Sequence, residues 1–237
     1  MPEFAAPQPH GKLEEIFPNI FVVRGSISFM PLFSIARNMT VVRNGDELTV
    51  FNSVRLDDAG EKELEKLGKV KHVVKLGFFH GIDDPYYRER YKATYWVARP
   101  KPDTTGASPL ASGPASFGEG EIFTFEKGDD GEAAFIAPRE GGNVLITCDS
   151  VQNWTDTQGC SAAGAVFMKF SGFIEPAKIG PFWIKKITKT PQVMKSDFER
   201  LLEKDFDRIL SGHGTPMKSG GKEALKKSVA KTFAAKS

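Results

Sequence analysis

Apolar and polar positions in the first half of the chain alternate in short runs that predict strands. Residues 38–42 and 48–54 are rich in β-branched side chains, and Asn44-Gly45 lies between them. This dipeptide indicates a hairpin, because Asn and Gly accept the left-handed backbone of a tight turn. A helix is predicted from Asp57 to Leu67, followed by a strand over residues 69–76. Hairpin, helix and strand in this order are typical of an α/β fold.

The second half of the chain repeats this succession of strands and helix. Further strands are predicted over residues 122–125, 133–136, 143–148 and 208–211. Two capping patterns mark helix starts: Asp58 with Glu61 in the first helix, and Ser196 with Glu199 in the second half. Phe198, Leu201 and Leu202 then follow at helical spacing, which predicts one buried helical face.

Length and composition are those of a globular protein. The 237 residues are 40% hydrophobic and 26% charged, so the chain can bury a sizeable core. We predict a single domain over residues 1–237. Within it we expect a Pro-rich N-terminal arm at 1–15, a Pro/Gly/Ser-rich insert at 99–121 and a basic C-terminal helix at 218–237.

Charge and cysteine content exclude several classes of protein. A formal net charge of +2 gives no sign of nucleic-acid binding, and no apolar run reaches the ~20 residues that a membrane span needs. No secretory signal is visible, and two cysteines are too few for a disulfide scaffold. We therefore expect a cytoplasmic protein that binds no nucleic acid and no membrane and that, if it is an enzyme, has a small-molecule substrate. Its oligomeric state is left open.

Three apolar runs end in an acidic residue or a histidine. Residues 73–79 precede His80 and Asp83-Asp84, residues 144–148 precede Asp149, and residues 209–211 precede Gly212-His213-Gly214. In α/β folds, sites form beyond the carboxyl ends of strands, so these groups are expected to converge. Clustered carboxylates repel one another unless a cation or a proton joins them, and a metal ion is the simplest explanation.

Each of these residues also has a structural interpretation. His80 follows two Phe residues and suits a buried core histidine. Asp84 precedes a proline and suits a helix cap, while Asp149 suits a turn. His213 is harder to explain this way, because its flanking glycines allow a close backbone approach that presents the ring.

Taken in order, these segments resemble the metallo-β-lactamase fold superfamily. Ser-Gly-His-Gly at 211–214 is similar to its last metal-ligand motif, and residues 145–150 to the segment that carries its metal-bridging Asp. Residues 71–84 lie where its His-any-His-any-Asp-His signature should follow a strand. The resemblance covers roughly residues 16–215. It implies a four-layered αββα sandwich with a site at one edge of the two sheets.

The departures from this pattern argue against a usual two-zinc site. Residues 78–84 can be aligned with the signature in two registers. In one, His80 occupies the position of the second His; in the other, Asp83 occupies the position of the Asp and Asp84 that of the last His. The second register implies the metal ligands Asp83, Asp84, Asp149 and His213, an oxygen-rich set that suits Mn²⁺, Fe²⁺ or Mg²⁺. The expected cofactor is one divalent metal ion (zinc, manganese or iron), with a metal-free protein as the alternative. His80 is then a ligand or the catalytic acid or base.

Substrate contacts are expected next to these ligands. Tyr86 and Arg88 directly follow the candidate site and are candidates for binding an anionic group, the alternative being a solvated helix face. Trp154 begins a stretch rich in aromatic residues, Gly and Pro that is either core or an apolar lid.

Three functions remain open. The first is a metal-dependent hydrolase of a small ester or lactone-like substrate, with a reduced or single-metal site. The second is a metal-free pseudoenzyme that acts as a binding module. The third is an iron-dependent oxidoreductase on the same fold. Whether the protein is an enzyme at all is not fixed by the residues, because a fold does not determine a function.

Overall fold

A computed structural model describes residues 4–102, 104–113 and 117–234. Its first sheet has seven strands in chain order, antiparallel from the first to the fourth and parallel from the fourth to the seventh. These strands are β1 (His10–Phe17), β2 (Ile20–Met30), β3 (Phe33–Asn44), β4 (Glu47–Phe51), β5 (Lys69–Lys75), β6 (Thr94–Val97) and β7 (Ser108–Pro109).

The remaining strands form a second sheet and a short two-stranded extension. They are β8 (Glu121–Phe125), β9 (Glu132–Ala137), β10 (Val144–Thr147), β11 (Val151–Trp154), β12 (Glu175–Ile179) and β13 (Arg208–Ser211). The second sheet has the order β13-β10-β9-β8, and β10 and β13 are parallel. Strands β11 and β12 pair with each other, and a bridge between Asn153 and Gly214 ties them to the segment after β13.

In the part of the chain that the structure describes, six α-helices pack against the sheets. They are α1 (Asp58–Leu67), α2 (Asp84–Tyr91), α3 (Ala162–Phe170), α4 (Pro181–Ile187), α5 (Lys195–Glu203) and α6 (Gly221–Thr232). Within the described residues, no helix is both long and apolar enough to cross a bilayer.

Three stacked hydrophobic cores show that the molecule has four layers. Leu64 of α1 and Tyr87 of α2 pack on one face of the first sheet. Phe51 and Phe135 pack between the two sheets, with stacked rings 5.1 Å apart. Trp183, Phe198 and Leu225, from α4, α5 and α6, pack on the outer face of the second sheet. The αββα sandwich predicted from the sequence is therefore confirmed.

Local turn and cap chemistry explains the first half of the fold. Gly45 has φ +61° in the predicted hairpin between β3 and β4. Helix α1 is capped by Asp57, whose carboxylate accepts from the Gly60 N–H at 2.8 Å. The predicted capping box at Asp58 was therefore one residue late, because Asp57 has the extended backbone that a cap requires.

The N-terminal segment and the insert differ from the sequence expectation, whereas the predicted C-terminal helix forms. Residues 10–15 lie in β1 rather than in an arm, because Leu13 and its neighbours pair with β2. The insert at 99–121 contributes β7 and the buried Leu110, while residues 103 and 114–116 lie outside the described ranges. The basic C-terminal helix begins at Gly221, and residues 235–237 also lie outside those ranges.

The capping box predicted at Ser196 does not form. Helix α5 begins one residue earlier, at Lys195, and the Ser196 hydroxyl donates to the Val193 carbonyl at 3.2 Å. Asp197 is instead fully buried, and its Oδ2 accepts from the backbone N–H groups of Glu126 (2.9 Å) and Lys127 (2.8 Å). Its carboxylate thus anchors the loop after β8 to α5.

We expect Asp197→Ala to lower the free energy of unfolding by ~2–4 kcal/mol, because two backbone N–H donors lose a fully buried carboxylate acceptor. Urea unfolding measures this loss. Ser196→Ala is the matched control and should change stability by no more than ~0.5 kcal/mol. Equal effects of the two substitutions would contradict this assignment of the anchor.

Candidate metal centre

Three loops at one edge of the sandwich carry the candidate site. His80 follows β5 of the first sheet, Asp149 follows β10 and His213 follows β13. Since β10 and β13 are parallel neighbours, their carboxyl ends lie side by side. The sequence expectation that these three residues converge matches the structure.

Their side chains form a compact cluster. Nε2 of His80 lies 3.0 Å from Nε2 of His213. The Asp149 carboxylate contacts both rings: Oδ1 is 3.2 Å from Nε2 of His213, and Oδ2 is 3.6 Å from Nε2 of His80. One ligand atom of each residue lies within 4.8 Å of the other two, and no side chain of the three is more than 10% exposed.

A backbone carbonyl fixes the orientation of His213. Its Nδ1 lies 2.8 Å from the carbonyl oxygen of Ala36 in β3. Because a carbonyl can only accept, Nδ1 carries a proton, and Nε2 faces the cluster, where it offers a lone pair when the ring is neutral. The Trp154 ring stacks on the imidazole, 5.7 Å away at an interplanar angle of 19°. The arrangement is typical of a metal-ligating histidine.

Burial and the central carboxylate set the protonation of the cluster. Burial lowers the pKa of His80 to about 4, so this ring is neutral near pH 7. Burial also acts to lower the pKa of His213, but the hydrogen bond and the charge of Asp149 outweigh it and raise that pKa. The pKa of Asp149 falls to about 2, because the two imidazoles outweigh the effect of its burial.

The donor set fits one divalent ion. Two imidazole nitrogens facing each other at 3.0 Å repel unless a proton or a cation lies between them. Two histidines and one carboxylate are a ligand set of catalytic zinc and of non-haem iron. In the described part of the chain, no other group of His, Cys, Asp or Glu has comparable geometry. The set is thus poorer in oxygen than the sequence suggested.

Asp83 and Asp84 do not join the cluster, which corrects the expected four-ligand set. Oδ2 of Asp83 pairs with Nη2 of Arg37 at 2.7 Å and accepts from the Arg55 N–H at 3.0 Å. Asp84 accepts a hydrogen bond from the Ser53 hydroxyl, and burial raises the pKa of its carboxyl group. These two carboxylates are engaged by neighbouring protein groups instead of lying beside His80.

Of the three expected substrate contacts, only Trp154 lines the cavity over the cluster. The Tyr86 hydroxyl donates to Glu61, and the Arg55 guanidinium lies over its ring. Arg88 donates to the Thr105 carbonyl and lies over the Tyr95 ring. Helix α2 therefore directs Tyr86 towards α1 and Arg88 towards the insert.

A largely apolar cavity of about 780 Å³ opens over the cluster. Its walls come from the β2–β3 hairpin, the loop after β5, helix α3 and the start of α4. They include Ile27, Phe29, Ile35, Phe79, Phe167 and Phe182. Phe29, Phe79 and Phe182 are more than half exposed, so the apolar surface continues to the rim of the cavity.

Two residues of the site were not identified from the sequence. Arg37 lines the cavity, and its position inside the apolar strand over residues 33–44 was a signal that could have found it. Gln152 donates to Oδ1 of Asp149 at 3.2 Å. The turn between β10 and β11 creates this contact, and no motif in the sequence indicated it.

Glu132 lies buried beneath the cluster. Its Oε1 accepts from the Ser150 N–H at 3.0 Å, and Gly77 leaves the room for its other oxygen. Burial, with a smaller contribution from the charge of Asp149, raises the pKa of Glu132 well above its ordinary value. The folded protein therefore keeps this group protonated at pH values where the unfolded chain ionises it.

We expect Glu132→Gln to raise the melting temperature relative to wild type, and by more at pH 8 than at pH 5. A raised folded pKa contributes stability that is complete below the unfolded pKa and is lost as the pH rises towards the folded pKa. Glutamine does not ionise, so the variant does not lose this stability as the pH rises. Melting curves in chelator from pH 5 to 8 measure the trend, with exposed Glu140→Gln as control. A difference independent of pH would contradict the protonated state.

Comparison with known proteins was informative only at the level of structure. No family model and no curated protein matches the sequence. A metallo-β-lactamase from Erythrobacter litoralis matches with a TM-score of 0.61 and 11% identity, over 92% of this chain and 89% of that one. VMB-1 matches with a TM-score of 0.64 and 16% identity, over 97% and 99% of the two chains.

FIM-1 from Pseudomonas aeruginosa, solved in a mono-zinc form, matches with a TM-score of 0.61 and 11% identity, over 96% of this chain and 98% of that one. At these identities the similarity shows the fold alone. The chain has the metallo-β-lactamase fold, and the resemblance drawn from its sequence motifs is confirmed to that extent.

Proposed function

We propose that the protein is a single-metal hydrolase that cleaves an ester or lactone-like bond in a small apolar molecule. The observation that carries this proposal is the convergence of His80, Asp149 and His213 at the floor of the cavity. Their three ligand atoms are close enough to share one ion, and the cavity is large enough for a small substrate.

His80, Asp149 and His213 would hold the ion. When bound, a divalent cation supplies Lewis-acid chemistry, which polarises a scissile carbonyl and makes water a stronger nucleophile. This assignment places His80 among the ligands, one of the two roles the sequence allowed.

The chain contributes the preorganisation of this centre. The Ala36 carbonyl holds the Nδ1 proton of His213, and Gln152 holds Oδ1 of Asp149. His80 is neutral near pH 7 and presents a lone pair without first losing a proton. The apolar walls exclude water and bind the apolar part of the substrate, which strengthens the polar contacts at the floor.

Two further proposals follow from the same residues. The partner is a small molecule, because the candidate centre lies inside a cavity rather than on an extended surface. The compartment is the cytoplasm, for which the free thiols of Cys148 and Cys160 are the supporting observation.

One second candidate function has specific support. Two histidines and one carboxylate are also the ligand set of non-haem Fe²⁺ enzymes that react with oxygen. An iron-dependent oxidoreductase therefore remains the competing proposal, and the metal-free binding module is the outcome if no ion binds.

Chelator-washed protein reloaded with Zn²⁺, Mn²⁺ or, without oxygen, Fe²⁺ separates these functions. Hydrolysis of p-nitrophenyl esters from acetate to decanoate and of simple lactones is followed, and an oxygen electrode follows oxygen consumption. Ion-dependent hydrolysis that a chelator removes supports the proposal. Oxygen consumption restricted to the iron form, without hydrolysis, supports the oxidoreductase. Failure of all three ions to bind leaves the binding module.

A further inference from the structure

An exposed apolar surface continues from the cavity onto the outside of the molecule. Leu32, at the tip of the β2–β3 hairpin, is 89% exposed, and Phe170, at the end of α3, is 87% exposed. Ring contacts join the hairpin to α3 and α4: the ring centroids of Phe33 and Phe167 are 5.6 Å apart, and those of Phe167 and Phe182 are 6.0 Å apart. The most exposed side chains of this apolar patch are Phe29, Met30, Leu32, Val166, Phe170 and Phe182.

Helix α3 presents apolar rather than polar side chains to water. Its buried residues are Gly164 and Met168, whereas Val166 and Phe170, four positions apart, lie on the exposed face. A Cβ at Gly164 would lie 2.0 Å from the Ser34 carbonyl oxygen, so this glycine lets α3 pack directly against β3. Surface helices normally expose polar residues, and exposed apolar patches mark surfaces that contact another molecule or a bilayer.

The charged side chains beside the apolar patch are positive. Residues 157–194 contain five lysines and one acidic residue, Glu175, so this segment is more positive than the whole chain, whose net charge is +2. Glu175 pairs with Lys178. Within the described residues, the other four lysines are exposed and form no ion pair: Lys169, Lys185, Lys186 and Lys189. The hairpin residues 25–36 carry no charge at all.

These lysines lie next to the exposed aromatic side chains. Lys169 directly precedes Phe170 in α3. Lys185 and Lys186 follow Phe182 by three and four positions in α4, which places them on the same helical face. Lysine is depleted in protein–protein interfaces, whereas aromatic and aliphatic side chains bordered by lysines are typical of surfaces that bind anionic bilayers. The charge pattern therefore favours a lipid surface over a protein partner.

We propose that the apolar patch and its four lysines bind the surface of an anionic phospholipid bilayer. Leu32 and Phe170 enter the boundary between headgroups and acyl chains, while the lysines contact the lipid phosphates. This inference goes beyond the proposed function and does not depend on it, because no metal ion takes part. The sequence expectation of no membrane rested on the lack of an apolar run that could span a bilayer, and a surface-bound protein needs no such run.

The position of the cavity adds a consequence. Phe29, Phe182 and Lys186 line the cavity as well as belonging to this surface. A protein bound through the patch therefore turns the mouth of its cavity towards the bilayer, where apolar molecules accumulate.

Flotation with lipid vesicles tests the proposal. One set of vesicles is phosphatidylcholine alone, and the other is equal parts of phosphatidylcholine and phosphatidylglycerol. The apolar variant is Leu32→Ser with Phe170→Ser. The patch lysine variant combines Lys169→Gln, Lys185→Gln and Lys189→Gln. The matched control combines Lys62→Gln, Lys66→Gln and Lys71→Gln, which removes three exposed lysines of α1 and β5 that form no ion pair within the described residues.

The wild type is expected to bind the mixed vesicles at low salt and to bind phosphatidylcholine at least ~10-fold more weakly. The apolar and the patch lysine variants should each bind the mixed vesicles at least ~10-fold more weakly than the wild type. The control should stay within ~2-fold, because its charges lie outside the contact and are screened by salt. All replaced side chains are exposed, so the melting temperatures should match that of the wild type.

Three outcomes would overturn the proposal. The first is a wild type that binds neither kind of vesicle. The second is an equal loss of binding in the two lysine variants, because net charge rather than the patch would then cause the binding. The third is a dimer, measured by sedimentation velocity without lipid, that the apolar variant converts to a monomer, which would assign the patch to a second copy of the chain. None of these outcomes involves ion binding, so each leaves the proposed hydrolase to be tested separately.

Discussion

Replacing both Asp149 and His213 with alanine is expected to abolish divalent-ion binding and the thermal stabilisation that accompanies it. An ion at about 100 times its Kd stabilises the folded state by ~2.7 kcal/mol, which is a rise of about 5–10 °C for a domain of this size. The double variant removes two of the three donors in the cluster. A single remaining imidazole cannot hold the ion, so the expected rise is zero.

Melting curves with Zn²⁺, Mn²⁺ and Fe²⁺ measure this effect, each against chelator-treated protein. His10→Ala with Asp156→Ala is the matched control, because it removes one imidazole and one carboxylate outside the cavity. The control should keep the full rise. If the ions leave the wild-type curve unmoved, the site is not competent and the metal-free binding module becomes the better explanation.

Gly214→Ala is expected to cost at least ~3 kcal/mol of folding free energy and to displace His213. Gly214 has φ +84°, and a Cβ there would lie 2.0 Å from the Asn153 carbonyl oxygen. That oxygen cannot move away easily, since it accepts from the Thr215 N–H at 2.7 Å. The backbone bearing the metal-site histidine would have to shift instead.

Gly220→Ala separates the steric part of this effect from the backbone part. Gly220 has φ +72°, close to that of Gly214, but a Cβ there meets nothing within 4 Å. Its replacement should cost only the ~1–2 kcal/mol of placing alanine in the left-handed region. Urea unfolding compares the free energies of unfolding of the two variants. Equal decreases would show that the close approach at Gly214 does not contribute to the destabilisation.

Local patterns predicted the parts of the fold that depend on neighbouring residues. The Asn44-Gly45 turn and the end of the first helix at Leu67 follow from backbone preferences of single residues, and the sequence predicted both. The capping box at Ser196 failed because Asp197 forms stronger contacts with a loop about 70 residues away. No local pattern contains that information.

The candidate site also has features that local sequence predicted and one that depends on residues distant in the chain. His80, Asp149 and His213 were identified because each follows an apolar run, and runs of this kind end at one edge of a sheet. Asp83 looked equivalent by the same rule. Its exclusion depends on its ion pair with Arg37, which lies just before the strand predicted over residues 38–42 and was not among the candidate residues. Pairing between distant charged groups was the information missing from the sequence.

The spacing of the metal-site residues along the chain has a kinetic consequence. His80 and His213 are 133 residues apart in sequence, yet their rings are in contact. Closing so long a loop is slow and comes late in folding, since its entropy must be offset by contacts that form elsewhere first. An ion held by both rings therefore cannot act as a folding nucleus. The ion would leave the refolding rate unchanged and lower the unfolding rate. Its binding would therefore lengthen the lifetime of the native state.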